Sequence, residues 1–284
     1  MRKFFTLMTL GLVLFSCKDE AKKPVSKKNT APTAAVKDTT QTVQADSSDL
    51  LELFSKNEEE VASKLKTISN EEANELYEKY FLENNILLHQ IEQRESNALT
   101  NFYSEKASDK KAIKLLNEKL LKHKLEFEEI GEGYVEITTK NDFYYALFRD
   151  YVTSDYKRYL YLKSEENKFL YSADAGLAIS FEDLGDRIIS WENFINQFPT
   201  SKLTEQVTEE YKSYQLDYLR GLDNTPTVEN AHTEKYIYPE NIQEFNRFLK
   251  KYPKSPTVAL INTFMKNFKN EDIYNILTKE QENL

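Results

Sequence analysis

Leu184, Ile188, Trp191, Ile195 and Phe198 follow one another at steps of 4, 3, 4 and 3, and no feature of this chain limits its fold more tightly. At 3.6 residues per turn those steps stack five large apolar side chains on one narrow stripe, which suits a helix buried along that side. Ser180 stands where its hydroxyl caps the first turn, with Asp183 at the acidic third position. Pro199 ends the helix, because proline disfavours helical geometry in the residue before it and cannot donate to a continuing ladder.

A helical period runs through most of the chain after Ser48. Ser47 and Ser48 predict the cap of a helix carrying Leu50, Leu51, Leu53, Phe54, Val61 and Leu65; Asn70 predicts the cap of a longer one with Leu76, Tyr80, Leu87 and Ile91. A third helix is expected after Asp109, with Ile113, Leu116 and Leu120. Asn141 opens a segment with Phe143, Leu147 and Tyr151 on one face, and Ser154 caps the next, with Tyr156, Tyr159 and Leu160. Ser201 starts a helix with Leu203, Val207, Tyr211, Tyr214 and Tyr218, which Gly221 stops. Around Gly131-Glu132-Gly133 the period falls to two, with Leu125 and Phe127 before it and Val135 and Ile137 after it, as in a small β-hairpin; an irregular loop is the alternative. The predicted fold is all-α, antiparallel helical hairpins in a repeat-like array, with room for one small β-hairpin near residues 125–138.

One phrase recurs. The segment from Trp191 to Ser201 aligns with that from Phe245 to Ser255 at an offset of 54, sharing an aromatic at the first position, Phe194 and Phe248 at the fourth, an aromatic-proline pair and a serine two residues on. The aromatics bury one helix on its neighbour, the proline breaks it, and the serine caps the next. This phrase resembles the boundary between tetratricopeptide-type repeats, as in the helical lipoproteins of the outer-membrane barrel-assembly machinery. It covers residues 181–219 and 239–268, and the offset exceeds that family's period of about 34 by the polar loop Leu222 to Tyr238. Two similar hairpins that bind nothing would leave the same trace. The span from Gly131 to Pro226, with Gly133-Tyr134, Asp174-Ala175-Gly176-Leu177 and Gly221-Leu222-Asp223-Asn224-Thr225-Pro226, resembles a helical module of bacterial extracytoplasmic proteins, a resemblance that implies no chemistry.

Cys17 is the chain's only cysteine, so the body must be held by its core without an internal disulfide, and 40 % hydrophobic residues allow that core. Upstream lie Met1-Arg2-Lys3 and an apolar run from Phe4 to Phe15, too short to span a bilayer but suited to a signal peptide. The run ends in Leu14-Phe15-Ser16-Cys17, which resembles the lipobox of bacterial lipoproteins. That resemblance implies removal of residues 1–16 and acylation of Cys17, and several acyl chains at about 0.8 kcal/mol per buried methylene would hold a protein on a membrane. Lys18-Asp19-Glu20 resembles the surface-export signal of lipoproteins from the Bacteroidota, implying the outer leaflet of the outer membrane; a periplasm-facing anchor is the alternative. Residues 17–48 read as a lipidated start and a tether too poor in apolar groups to form a core, and 49–284 as the helical domain, divisible at 140 into 49–140 and 141–284.

Eight basic and four acidic side chains in residues 1–48 give that segment +4, so of the net −9 the remaining residues carry −13. An acidic body repels phosphate backbones, which excludes nucleic acid as a natural partner. His89, His123 and His232 stand apart with no ligand spacing, and no nucleophile elbow or complete glycine-rich phosphate loop occurs, so neither catalysis, metal nor cofactor is expected. Glu132, Asp174, Asp183 and Asp186 lie near turns and are the best source of a glycosidase-like carboxylate pair. Among eighteen tyrosines, those from Tyr144 to Tyr171 crowd one stretch, and Tyr144, Tyr145, Tyr156 and Tyr159 are the candidates for a sugar- or peptide-binding cleft, against the plainer role of core and rim. The expected function is a lipid-anchored envelope protein that binds or scaffolds another protein; glycan or peptide capture is the second reading and a carboxylate-dependent glycan hydrolase the third.

Overall fold

The computed structural model describes residues 47–229 and 234–283. Among these, helices dominate, and the only strands form small two-stranded antiparallel hairpins, so the all-α expectation holds. The N-terminal helices are α1 (Ser47–Leu65) and α2 (Asn70–Arg94), followed by the short α3 (Ser96–Thr100) and by α4 (Ala107–Lys122). Leu51, Phe54, Val61 and Leu65 of α1 are buried against Ala73, Tyr77, Tyr80, Leu87 and Ile91 of α2, and so short a link forces the two helices antiparallel. Asn70 is not the cap of α2. Ser69 is: its hydroxyl accepts from Glu72 N–H at 3.2 Å and Glu72 accepts from Ser69 N–H at 2.8 Å, while Asn70, already helical, donates to the Tyr151 carbonyl.

The hairpin foreseen near 125–138 is β1 (Leu125–Gly131) paired with β2 (Tyr134–Thr139), its turn carried by three residues at positive φ, Gly131, Glu132 and Gly133. Then come α5 (Phe143–Phe148), one turn shorter than the Tyr151 pattern suggested, and α6 (Ser154–Glu166). A second hairpin, β3 (Ser172–Ala173) and β4 (Gly176–Leu177), leads into α7 (Phe181–Gln197) and α8 (Thr204–Arg220). A third, β5 (Gly221–Leu222) and β6 (Thr225–Pro226), and a fourth, β7 (Val228–Glu229) and β8 (Tyr236–Ile237), lead into α9 (Pro239–Lys251), α10 (Thr257–Asn267) and α11 (Ile273–Glu282).

The first three hairpins touch. Asp174 accepts from Glu132 N–H at 2.7 Å and from the Asn224 side-chain amide through its own carbonyl; Asn224 N–H reaches the Ala175 carbonyl at 3.0 Å. Thus the three turn segments singled out in sequence meet along one line, pinned by Asp174. That turn has Asp174 and Ala175 both at positive φ, the geometry of a tight two-residue hairpin loop. At Gly221 a side chain is impossible, since a Cβ would lie 2.0 Å from the Thr225 carbonyl oxygen.

Ring contacts carry the core from element to element. Phe54 of α1 meets Phe143 of α5, Tyr77 of α2 meets Phe148 and Tyr156, and Tyr159 of α6 lies 5.8 Å from Trp191 of α7. Farther on, Tyr218 of α8 lies 5.4 and 5.5 Å from Phe245 and Phe248 of α9, and Phe245 meets Phe264 of α10. Trp191 has no exposed surface.

The two aromatic-Pro-x-Ser joints match in detail. Phe198 ends α7 at φ −129°, ψ 54°, and Tyr252 ends α9 at φ −128°, ψ 55°. Ser201 and Ser255 accept from the N–H two residues on, each at 3.2 Å, and donate to a carboxylate of an earlier helix, Asp155 and Glu192 respectively. Ser201 therefore caps the joint just ahead of α8, which begins at Thr204, whereas Ser255 bonds the first N–H of α10, that of Thr257.

Candidate functional site

The densest polar chemistry lies where α6, α7 and α8 meet. Lys163 places its ammonium 2.9 Å from Glu166, 2.5 Å from Glu210 and 5.6 Å from the Trp191 ring centroid. Burial alone would push this lysine down; Glu166 and Glu210 outweigh it and hold the ammonium well above its ordinary value. Glu166 also accepts from Trp191 Nε1 at 2.6 Å and Tyr214 OH at 3.3 Å, and lies 3.4 Å from Arg187 Nε. The Arg187 guanidinium sits 5.4 Å from the ring centroids of both Tyr171 and Tyr214. A buried ion cluster is tolerable only when every member is bonded, and here the shared partners achieve that.

Over this cluster opens a groove of about 540 Å³. Leu162 and Ile179 give it apolar lining above the buried Trp191, and Phe169, 69 % exposed, stands at its edge. Its carboxylates are bonded within the protein: Glu165 to Lys168, Asp183 to the Ser180 hydroxyl, and Asp186 to Arg247, Lys251 and Tyr252 at 2.9–3.0 Å. What the groove presents outward is apolar surface framed by carboxylates that are paired or hydrogen-bonded within the protein.

Cys17, Lys18, Asp19 and Glu20 lie outside the described residues. Tyr156 and Tyr159 are 2 % and 1 % exposed, with hydroxyls bonded to Glu78 and Gln206. Burial raises Tyr159 to about 12. Tyr144 is half-buried against Phe143 and Phe81, accepts weakly from Asn84 at 3.4 Å, and is likewise raised by burial to about 12. Tyr145 faces Tyr161 at 5.6 Å, under the Arg149 guanidinium. Tyr156 and Tyr159 thus belong to the core, while Tyr144 and Tyr145 are half-buried in separate ring contacts, so the four do not line one cleft.

Of the carboxylates near turns, Asp174 pins the hairpins, Asp183 accepts from the hydroxyl of the α7 cap Ser180, and Asp186 ties α7 to α9. His123 meets Ser55 at 2.7 Å, His89 meets Gln93, and His232 lies outside the described residues. Among the described residues no three potential ligands converge on a metal position, and no helix is long and apolar enough to cross a membrane.

The members of the ion cluster went unseen in sequence because each stands alone on its own helix. The one usable sign was their placement: Arg187 and Lys163 occupy positions next to the buried stripes of α7 and α6, where long polar side chains need partners. Comparison with protein-family models, curated proteins and solved structures finds no match.

Proposed function

We propose that the chain is a lipoprotein of the outer membrane, anchored through an acylated Cys17 and turned to the cell surface by Lys18-Asp19-Glu20, whose tetratricopeptide-like helical body holds a partner protein. The observation that carries this reading is the N-terminal order of basic start, short apolar run, small residue and cysteine. The body supports a binding role through Phe169, exposed beside a groove whose carboxylates are bonded within the protein. A phenylalanine in that setting gains by burial against an apolar partner surface.

A photo-crosslinking residue at position 169 in intact cells tests the binding reading. It should yield one discrete protein adduct, absent when the same residue replaces Lys79 on the outward face of α2. A smear, or equal adducts from both positions, would sink it. Protease added to intact cells tests the orientation: the wild type is shaved, and a variant with Lys18, Asp19 and Glu20 all changed to alanine is spared.

A further inference from the structure

At the N-terminal ends of α7 and α9 lies a separate hollow of about 440 Å³, with Phe181 and Glu182 on one side and Asn241, Glu244 and Arg247 on the other. Arg247 and Glu244 are paired within the protein. Arg247 binds Glu244 through Nε and through Nη2 at 2.8 Å, and Nη2 also reaches Asp186 at 3.0 Å; the second partner of Glu244 is Tyr218 OH at 2.9 Å. Gly185 permits this closeness, since a Cβ there would stand 3.0 Å from Glu244 Oε1.

Two donors are left over. Asn241, 2 % exposed, has no acceptor for Nδ2, and Arg247 Nη1 has none either, with Glu182 Oε1 3.7 Å away and beyond hydrogen-bond reach. A buried N–H without an acceptor is destabilising, so both donors favour an oxygen brought to this spot. The rim offers the opposite polarity: Glu182 and Glu240 are exposed acceptors, and the ring of Phe181 is half-buried beside them. An anion would face those carboxylates, and a cation would leave both donors unmet. A neutral ligand bearing several hydroxyls answers both, because each hydroxyl accepts and donates.

We propose that this hollow is a binding site for a neutral polyhydroxylated ligand the size of one sugar ring. Its oxygens accept from Asn241 Nδ2 and Arg247 Nη1, its O–H groups donate to Glu182 and Glu240, and a C–H face lies on Phe181. The site goes beyond the anchored binding protein proposed above and does not depend on it.

The test titrates the full chain, labelled with ¹⁵N in asparagine and arginine, with D-glucose and myo-inositol, and with acetate and methylammonium as charged controls. The two polyols should shift the Asn241 amide and Arg247 guanidinium resonances saturably, and the ions should not. Asn241→Leu, which removes the donors at similar volume, should melt no lower than the parent yet weaken the Arg247 response at least about tenfold. A flat response to both polyols, or an equal response to acetate, overturns the proposal. So does a marked fall in the melting temperature of Asn241→Leu, since Nδ2 would then have a structural partner.

Discussion

Trp191 shows how much one side chain holds. Its ring is closed off between Tyr159 and Phe194, its Nε1 is bonded to Glu166, and the Lys163 ammonium lies against its face. Truncation to alanine removes packing that cannot refill and leaves Glu166 short of a donor, a loss of about 3–5 kcal/mol from the 5–15 kcal/mol typical of a domain. Trp191→Ala should therefore melt roughly 10 °C or more below the parent, and Phe245→Ala, equally shut in at the second joint, should fall similarly. Trp191→Phe keeps a six-membered ring in the site while losing the bond to Glu166 and part of the indole volume, and should cost less than the alanine variant. Wild-type melting of Trp191→Ala would mean that the ring is not buried as described.

At the scale of the element, the two joints share a geometry but differ in their carboxylates. Burial pushes Asp155 up, yet hydrogen bonds led by the hydroxyls of Ser201 and Thr153 outweigh it and hold the group below its ordinary 3.8. Glu192 is pushed above its ordinary 4.5 because burial there exceeds what Ser255 and Tyr211 return. The signs of the linkage are opposite. Asp155 contributes stability above the unfolded-state pKa that is lost as pH falls through its lower folded value; Glu192 costs stability as pH rises from about 4.5 through its raised value. Denaturant unfolding between pH 3 and 7 should show Glu192→Gln gaining on the parent toward pH 7, and Ser201→Ala losing about 1–2 kcal/mol at neutral pH, with a smaller deficit once Asp155 is protonated. If Glu192→Gln tracks the parent at every pH, the group is not buried at the joint.

The elements also show what sequence can and cannot announce. Ser180 and Gly221 were legible because each acts on its own helix, through one hydroxyl or one positive φ. Ser69 was overlooked beside the equally good capper Asn70, and only Glu72, three residues on, decides between them by returning a bond to the Ser69 N–H. The hairpins β3–β4 and β5–β6 were invisible as strands, two residues being too few to show a period, although the turn residues that pin them stood out.

For the molecule as a whole, the body and its address rest on different kinds of information. The helical array follows from local periodicity, which the core confirms in its run of rings from Phe54 to Phe264. The ion cluster beneath Phe169 and the hollow at Asn241 are assembled from separate helices, so no local pattern could foretell them. The address rests wholly on residues 1–20, outside the described structure, and on that account it is the claim most in need of direct test. The decisive measurement is incorporation of a labelled fatty-acid analogue into the wild type and into Cys17→Ser expressed in the native cell. Label should enter the wild type, which should fractionate with membranes, and should be absent from a serine variant recovered in the soluble or inner-membrane fraction. Label in both proteins, or in neither, would contradict anchoring at Cys17.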